Sequence, residues 1–406
     1  MDSLITAAAH ALAIGDPLAA LKRVALRNDA PALALRGIAM AQLGDFDRAK
    51  KLLRQAARAF GPKERVAGAR CVVAEIEIAL VSRELNWPTK KLTLARTTLE
   101  AHGDYVNAAH ARYLDARREL LFGHLDTAEH TLAGLDPAHL PPAFTTVHEL
   151  IVAGIAMRRV RAKAATAALV RAQRAARRAG IPALGAEVDS AIAVLSAPAA
   201  RVIARGQERL LRLDQVETLF ASQALIVDAC RSTVRDRRNV ISLARRPVLF
   251  ALARAMGESW PEDAPRDALV AKVFRGKHID ESYRSRLRVE IGRLRKALRD
   301  VADVVATVRG FKLVPHHDAA IVVLAQPVDA RHADVLALLA DGERWSSSAL
   351  AVALGASQRT MQRALDALAA AGNVQSFGHG RARRWTMPPL PGFATTLLLP
   401  APPSSD

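Results

Sequence analysis

Apolar residues in the first two hundred positions recur mostly with a helical period. Leu33–Gly61 reads LALRGIAMAQLGDFDRAKKLLRQAARAFG, two apolar-striped stretches broken at Gly44-Asp45, and predicts a pair of helices joined by a tight turn. Within it Gly37, Ala49, Leu53 and Ala56 put small and apolar residues where the two helices would meet closely. Tyr113–Leu135 repeats the plan, with Gly123-His124 as the turn and Ala128 and Leu132 in the same Ala-x-x-x-Leu spacing. That spacing occurs again at Ala95 and Leu99 within Leu92–Gly103, and Ala156–Pro182 supplies a last unit.

Further along the pattern changes. Leu249–Leu313 reads as three helices and a hairpin. In its third helix, Ser282–Asp300, the residues Leu287, Ile291, Leu294 and Leu298 form a buried stripe at i, i+4, i+7 and i+11. Ser282 is placed to cap that helix with its hydroxyl. Val304–Leu313 alternates and passes through Arg309-Gly310, which predicts a short hairpin with a basic tip.

Beyond it, Ala319–Pro327 reads as a strand and His332–Ala340 as a helix. Ser346-Ser347-Ser348 caps a short helix through Leu354, Gly355-Ala356 turns the chain, and Ser357–Gly372 forms a third helix. Asn373–Met387 follows as a hairpin with Gly378-His379-Gly380 at its tip. This is helix-turn-helix spacing with an appended wing, its core supplied by Leu350, Leu354, Met361, Leu365 and Leu368.

Candidate chemistry lies on the polar faces of these elements. Opposite the stripe of the 282–300 helix stand Arg286, Arg288, Arg293, Arg295, Lys296 and Arg299. A helix about 12 Å across fits the major groove of duplex DNA, and a basic hairpin beside it reaches the neighbouring backbone. Taken alone, such a helix would equally be a solvated basic face. The wing and flanking elements tip the reading toward DNA. In the second unit Gln358, Arg359, Thr360, Gln362 and Arg363 cluster at the start of the reading helix, and these residue types include donors and acceptors for base edges. Arg381, Arg383 and Arg384 would sit on its wing near phosphates. The competing use of such a unit is protein contact or dimerisation. The basic run Arg158–Arg178 carries no acidic residue and reads first as a solvated helix face, second as a supplementary surface for an acidic partner.

Residues Arg286–Leu298 read RLRVEIGRLRKAL and resemble the major-groove helix of the OmpR/PhoB-type winged-helix DNA-binding domain, whose RLRKAL core is matched residue for residue. Arg246–Met256 and Pro265–Phe274 look like that family's first two helices, and Ala224–Leu243 resembles the antiparallel sheet that precedes them. The resemblance covers about residues 223–316. It implies that Arg286, Val289, Glu290 and Arg293 face the groove, that Arg295 and Lys296 grip phosphate, and that Arg309 and Lys312 make wing contacts. Two features depart from the family: the wing is shortened to Arg309-Gly310-Phe311-Lys312, and Glu290 and Gly292 stand where it often carries His and Arg. The DNA sequence read would then differ. The N-terminal helix pairs, at intervals of about 40 rather than 34 residues, resemble divergent tetratricopeptide repeats, whose concave face binds peptides or other ligands. The second helix-turn-helix unit resembles the generic winged helix of bacterial regulators.

Composition adds a polyanionic partner and removes other classes. The 406 residues carry a formal net charge of +18, mostly from arginine, although abundant Arg and Ala also follow from a GC-rich genome. Cys71 and Cys230 lack metal-ligand spacing and read as two small buried apolar residues. The start of the chain has no basic n-region, and no run of about 18 apolar residues suggests a membrane span. No Gly-rich phosphate loop, H-E-x-x-H or G-x-S-x-G occurs, and His316-His317 is an isolated pair, so neither enzyme chemistry, a metal nor a cofactor is expected. Nor does the N-terminus alternate strands and helices as a phosphate-accepting receiver would.

The expected fold is mainly α: a tetratricopeptide-like α-solenoid over 1–220, an OmpR/PhoB-type winged helix over 223–316, a second winged helix over 319–388, and a proline-rich tail over 389–406 whose TTLLL run could dock as a strand. The expected function is a bacterial-type, cytoplasmic, nucleoid-associated transcriptional regulator that binds duplex DNA. A protein or peptide would bind at the repeats, and homodimerisation would add affinity. The rival is an interaction scaffold whose winged helices serve protein contacts.

Overall fold

Helix boundaries in the N-terminal region are written by aspartates. Asp2, Asp16, Asp29, Asp45 and Asp104 each accept a backbone N–H at the start of a helix, pairing donors that would otherwise have no partner. At Gly44-Asp45 and Gly103-Asp104 the glycine takes positive φ (86° and 76°), closing one helix as the aspartate opens the next. In the computed structural model the helices so delimited are α1 (Ser3–Ala13), α2 (Pro17–Val24), α3 (Ala30–Gln42), α4 (Phe46–Phe60), α5 (Arg65–Val81), α6 (Thr89–Ala101), α7 (Tyr105–Phe122), α8 (Leu125–Ala133), α9 (Pro142–Arg158), α10 (Ala162–Ala179) and α11 (Pro182–Ser196). The structure describes residues 2–82, 84–274, 281–317, 319–327, 332–339, 345–354, 356–370, 372–378, 380 and 383–387. Among the described residues the protein is mainly helical, with a few small sheets, and no helix is long and apolar enough to cross a membrane.

From α1 to α9 successive helices pack on their neighbours in sequence. The small residues read from the sequence sit where they were expected. A Cβ on Gly37 would lie 2.9 Å from Leu53 Cγ and 3.2 Å from the Ala49 carbonyl oxygen, so α3 and α4 approach closely only because that position is glycine. Ala49, Leu53, Ala56, Ala95, Leu99, Ala128 and Leu132 are all buried. Helix α7 is buried on two sides: Ala108, Ala111 and Leu114 join the core shared with the preceding helices, while Ala109, Tyr113 and Ala116 pack against Phe144 and Val147 of α9. Of its buried polar residues, Asn107 donates to Asp104 at 2.8 Å, and His110 Nε2 lies 3.2 Å from a Glu77 carboxylate oxygen.

The chain's described residues fall into two compact units, one drawn from those within 2–158, 164–194 and 332–387, the other from those within 159–163 and 195–327. The second unit is built on strands β1 (Ala200–Ala204), β2 (Gln207–Leu211), β3 (Leu225–Asp228), β4 (Thr233–Arg235) and β5 (Val240–Ser242), with α12 (Leu213–Ala221) between β2 and β3. It continues through α13 (Pro247–Ser259), the short β6 (Ala264–Pro265), α14 (Arg266–Phe274), α15 (Glu281–Leu298), β7 (Ala302–Ala306), β8 (Gly310–Pro315) and β9 (Ile321–Ala325). One sheet runs in the order β2-β1-β9-β3-β4-β5; the other, β6-β8-β7, carries the hairpin.

Four details correct the sequence reading. Residues 200–220, assigned to the helical repeats, instead hold a β-hairpin and most of α12 in the sheet unit; Arg205 and Gly206 both take positive φ (49° and 73°), the twist a two-residue hairpin turn needs. Ile321–Ala325, read as the head of the last unit, is instead a central strand, antiparallel to β1 and parallel to β3. All five of its residues are buried, which suits an unbroken apolar run covered on both faces. Ser282 is not the cap of α15, because the helix already includes Glu281. Cys71 is buried, and burial pushes its thiol up to about 12, with the Glu75 carboxylate adding to the shift, whereas Cys230 is exposed in the turn after β3.

The C-terminal elements are α16 (Ala333–Leu339), α17 (Ser347–Ala353), α18 (Gln358–Ala370) and the antiparallel pair β10 (Gln375–Phe377) and β11 (Arg384–Thr386). Ser346 caps α17 through the Ala349 N–H at 3.1 Å, and Gly378 and Gly380 take positive φ between the strands. Leu350, Met361, Leu365 and Leu368 are buried with Trp385, and Leu354 packs against them. The proline-rich tail lies outside the described residues.

Candidate nucleic-acid interface

Helix α15 is amphipathic for a reason visible in its spacing. Leu287, Ile291, Leu294 and Leu298, each at most 2 % exposed, anchor one face against α13, α14 and the β7–β8 hairpin. The remaining faces present six cations between Arg284 and Lys296 against one carboxylate, Glu290. Arg286, Arg293, Arg295 and Lys296 are exposed, as is Val289 at 54 %. Glu290 is half-buried and accepts a bond from Arg293 Nη1 at 2.7 Å, so this carboxylate holds an arginine on the helix surface. A carboxylate in a proposed groove-facing position also has a chemical meaning, because it can accept from the cytosine amino group.

Arg295 has an additional task. Its Nε donates to the Val304 carbonyl of β7 at 2.7 Å, which ties the helix to the hairpin. Arg309 is exposed in the turn, and Lys312 is half-buried on β8, opposite Val305. Between the C-terminal half of α15 and the start of α13 opens a surface cleft of about 840 Å³ whose lining includes Arg246, Arg293, Lys296 and Arg299 as well as Glu290 and Asp300. Arg246 was not singled out from the sequence. Its only signal was its position just before Pro247, the first residue of α13.

A second set of candidate residues lies on α18 and the β10–β11 hairpin that follows it. Gln358, Arg359, Thr360 and Arg363 are exposed on the first turns of α18. Ser357 Oγ accepts the Thr360 N–H at 3.1 Å and meets Thr360 Oγ1 at 2.8 Å, which fixes the helix start. Gln362 is half-buried and donates to Asp366 at 2.9 Å. Arg383 lies 4.2 Å over the Trp385 ring and 3.9 Å from Asp366, and Arg384 donates to the Arg383 carbonyl at 3.2 Å. These two arginines therefore brace the hairpin as well as charging it. Arg381 lies outside the described residues.

Arg171, within the basic run of α10, makes paired bonds to Glu149 at 2.7 and 2.8 Å. Among the described residues no group of three His, Cys, Asp or Glu side chains could hold a metal ion. No family model, curated protein or solved structure matches the chain.

Proposed function

We propose that the chain is a DNA-binding transcriptional regulator in which α15 enters the major groove of duplex DNA and the β7–β8 hairpin acts as a wing. The observation that carries this reading is the exposed cationic face of α15, fastened through Arg295 to a hairpin whose turn displays Arg309. A solvated helix face needs no such attachment, whereas a groove-reading helix needs its neighbouring phosphate contact held in register. Arg286, Val289, Glu290 and Arg293 would meet base edges, Lys296 and Arg309 phosphates. The C-terminal α17–α18 unit is a second winged helix, and two such modules on one chain raise affinity when their spacing fits the site. The N-terminal helices are a tetratricopeptide-like solenoid that takes a peptide or protein partner, through which a signal would enter.

The test is selection of bound sequences from a random duplex pool by the full chain and by Arg293→Ala and Lys296→Ala variants. Because Arg295 also supports the hairpin, it is the wrong residue to remove first. Arg293→Ala should relax the motif at one position, losing about 10- to 100-fold there. Lys296→Ala should weaken all sequences alike and shallow the salt dependence by about one phosphate contact. Duplex affinity unchanged in both variants, with loss of a protein partner instead, would favour the scaffold.

A further inference from the structure

The turn of the β7–β8 hairpin is held from outside by Arg266 and the short strand before it. Three successive carbonyls face Arg266, the first residue of α14. Its Nη2 donates to Thr307 O at 2.9 Å, its Nη1 to Val308 O at 2.8 Å, and its backbone N–H to Arg309 O at 3.3 Å. The guanidinium carbon lies 5.4 Å from the centroid of the Phe311 ring, so the fork is also stacked. The turn closes on itself through Thr307 N–H to Gly310 O at 3.0 Å and Gly310 N–H to Thr307 Oγ1 at 2.9 Å. The segment before Arg266 presses equally close: a Cβ on Gly310 would lie 1.9 Å from the Ala264 carbonyl oxygen. With the carbonyls turned inward, the side chains of Val308, 98 % exposed, and Arg309 project outward.

We infer that Arg266 is a positioning residue for the wing: by binding the turn carbonyls it fixes the Val308-Arg309 tip before any duplex is met. This rests on the proposed reading of the hairpin as a wing. A tip ordered in the free protein loses little conformational freedom on binding, and affinity rises by the ordering it avoids. The fork matters more than the charge. A lysine ammonium is a point donor and cannot span two adjacent carbonyls in one plane while stacking on Phe311.

The experiment measures duplex affinity of the full chain for Arg266→Lys, Arg266→Gln and Arg309→Ala, and for Arg266→Lys combined with Arg309→Ala. Amide hydrogen exchange at Thr307–Gly310 without DNA, and thermal unfolding, are read alongside. The expected result is a loss of about tenfold for both Arg266 variants, faster exchange at the turn, and no further loss from Arg266→Lys once Arg309 is alanine. Should Arg266→Gln not fold, Arg266→Lys alone decides. Full affinity in Arg266→Lys would overturn the positioning role, and a loss in Arg266→Gln beside it would make Arg266 a direct phosphate contact. A loss that persists undiminished in the Arg309→Ala background would overturn it too, since the residue would then act elsewhere. If the wild-type chain binds duplex and the variants match it, the inference alone fails. If the wild type binds no duplex, the functional reading fails and takes this role with it.

Discussion

The N-terminal helices and the sheet unit solve the same problem of burying apolar surface by opposite routes. From α1 to α9 each helix rests mainly on the next, so the core grows along the chain. In the sheet unit the middle of the main sheet is closed last: Ile321 pairs with Leu225 and Val323 with Ile203, after the chain has made α13, α14, α15 and the hairpin. Everything proposed to meet DNA in that unit is thus enclosed between two neighbouring parallel strands. Local packing tolerates local damage, whereas a sheet completed by a distant strand fails as a whole.

The sharpest break of that contrast is a charge in the closing strand. Val323 is fully buried and lies against α13, where a Cβ on Gly257 would come within 2.9 Å of Val323 Cγ2. Val323→Asp puts an unpaired carboxylate on the face of the sheet that packs against α13, at a cost on the order of 4 kcal/mol or more. Calorimetry with limited proteolysis should show the sheet unit's transition lost and its residues cleaved, while the N-terminal helices keep theirs. If the helices melt together with the sheet, the two regions are one cooperative body and the contrast fails.

A smaller effect is expected from damage inside the helical array. Gly37→Val would drive branched carbons into Leu53 and the Ala49 carbonyl, an overpacking cost of about 1–3 kcal/mol. Thermal unfolding should show a lowered transition for the helices and an unchanged one for the sheet unit. This position was legible in the sequence because its cause is local: a small residue one turn from its own apolar stripe, facing Ala49 and Leu53 across a short turn. The same holds for α15 and the β7–β8 hairpin, where period and turn residues suffice.

Pairing between distant segments was not legible in the same way. Ile321–Ala325 announced a strand, and its unbroken apolar run, AAIVVLA, was the available sign of a strand covered on both faces, yet nothing in it named β1 and β3 as neighbours. Ala200–Leu211 was hidden because arginine and alanine continue there from the preceding helices, and only Arg205-Gly206 marks a turn. At the candidate interface the charges were legible in the sequence but their second engagements were not. That Arg295 serves the Val304 carbonyl and Arg383 the Trp385 ring depends on three-dimensional neighbours. Arg266 went unnoticed for the same reason, since its three acceptors lie some forty positions away.

The mildest test compares one carboxylate from each region. Burial would raise the pKa of Glu75, but bonds from Lys91 at 2.6 Å and Arg54 at 2.7 Å outweigh it and hold the group below the ordinary carboxylate range. In the sheet unit burial of Glu258 is likewise outweighed by bonds from Lys272 and from Arg254, the latter at 2.7 Å. A carboxyl whose folded pKa lies below its unfolded one binds fewer protons when folded. Its stabilisation is therefore present above the unfolded value, about 4.3 for glutamate, and is lost as pH falls through the folded value. Glu75→Gln and Glu258→Gln should each lower stability at neutral pH by about 1 kcal/mol, and each difference from wild type should close as the medium is acidified. Denaturant unfolding followed over pH, read separately for the two regions, checks this. If the two regions are independent, Glu75→Gln moves only the helical transition and Glu258→Gln only that of the sheet unit; a shift of both transitions by either substitution would show that stability passes between them.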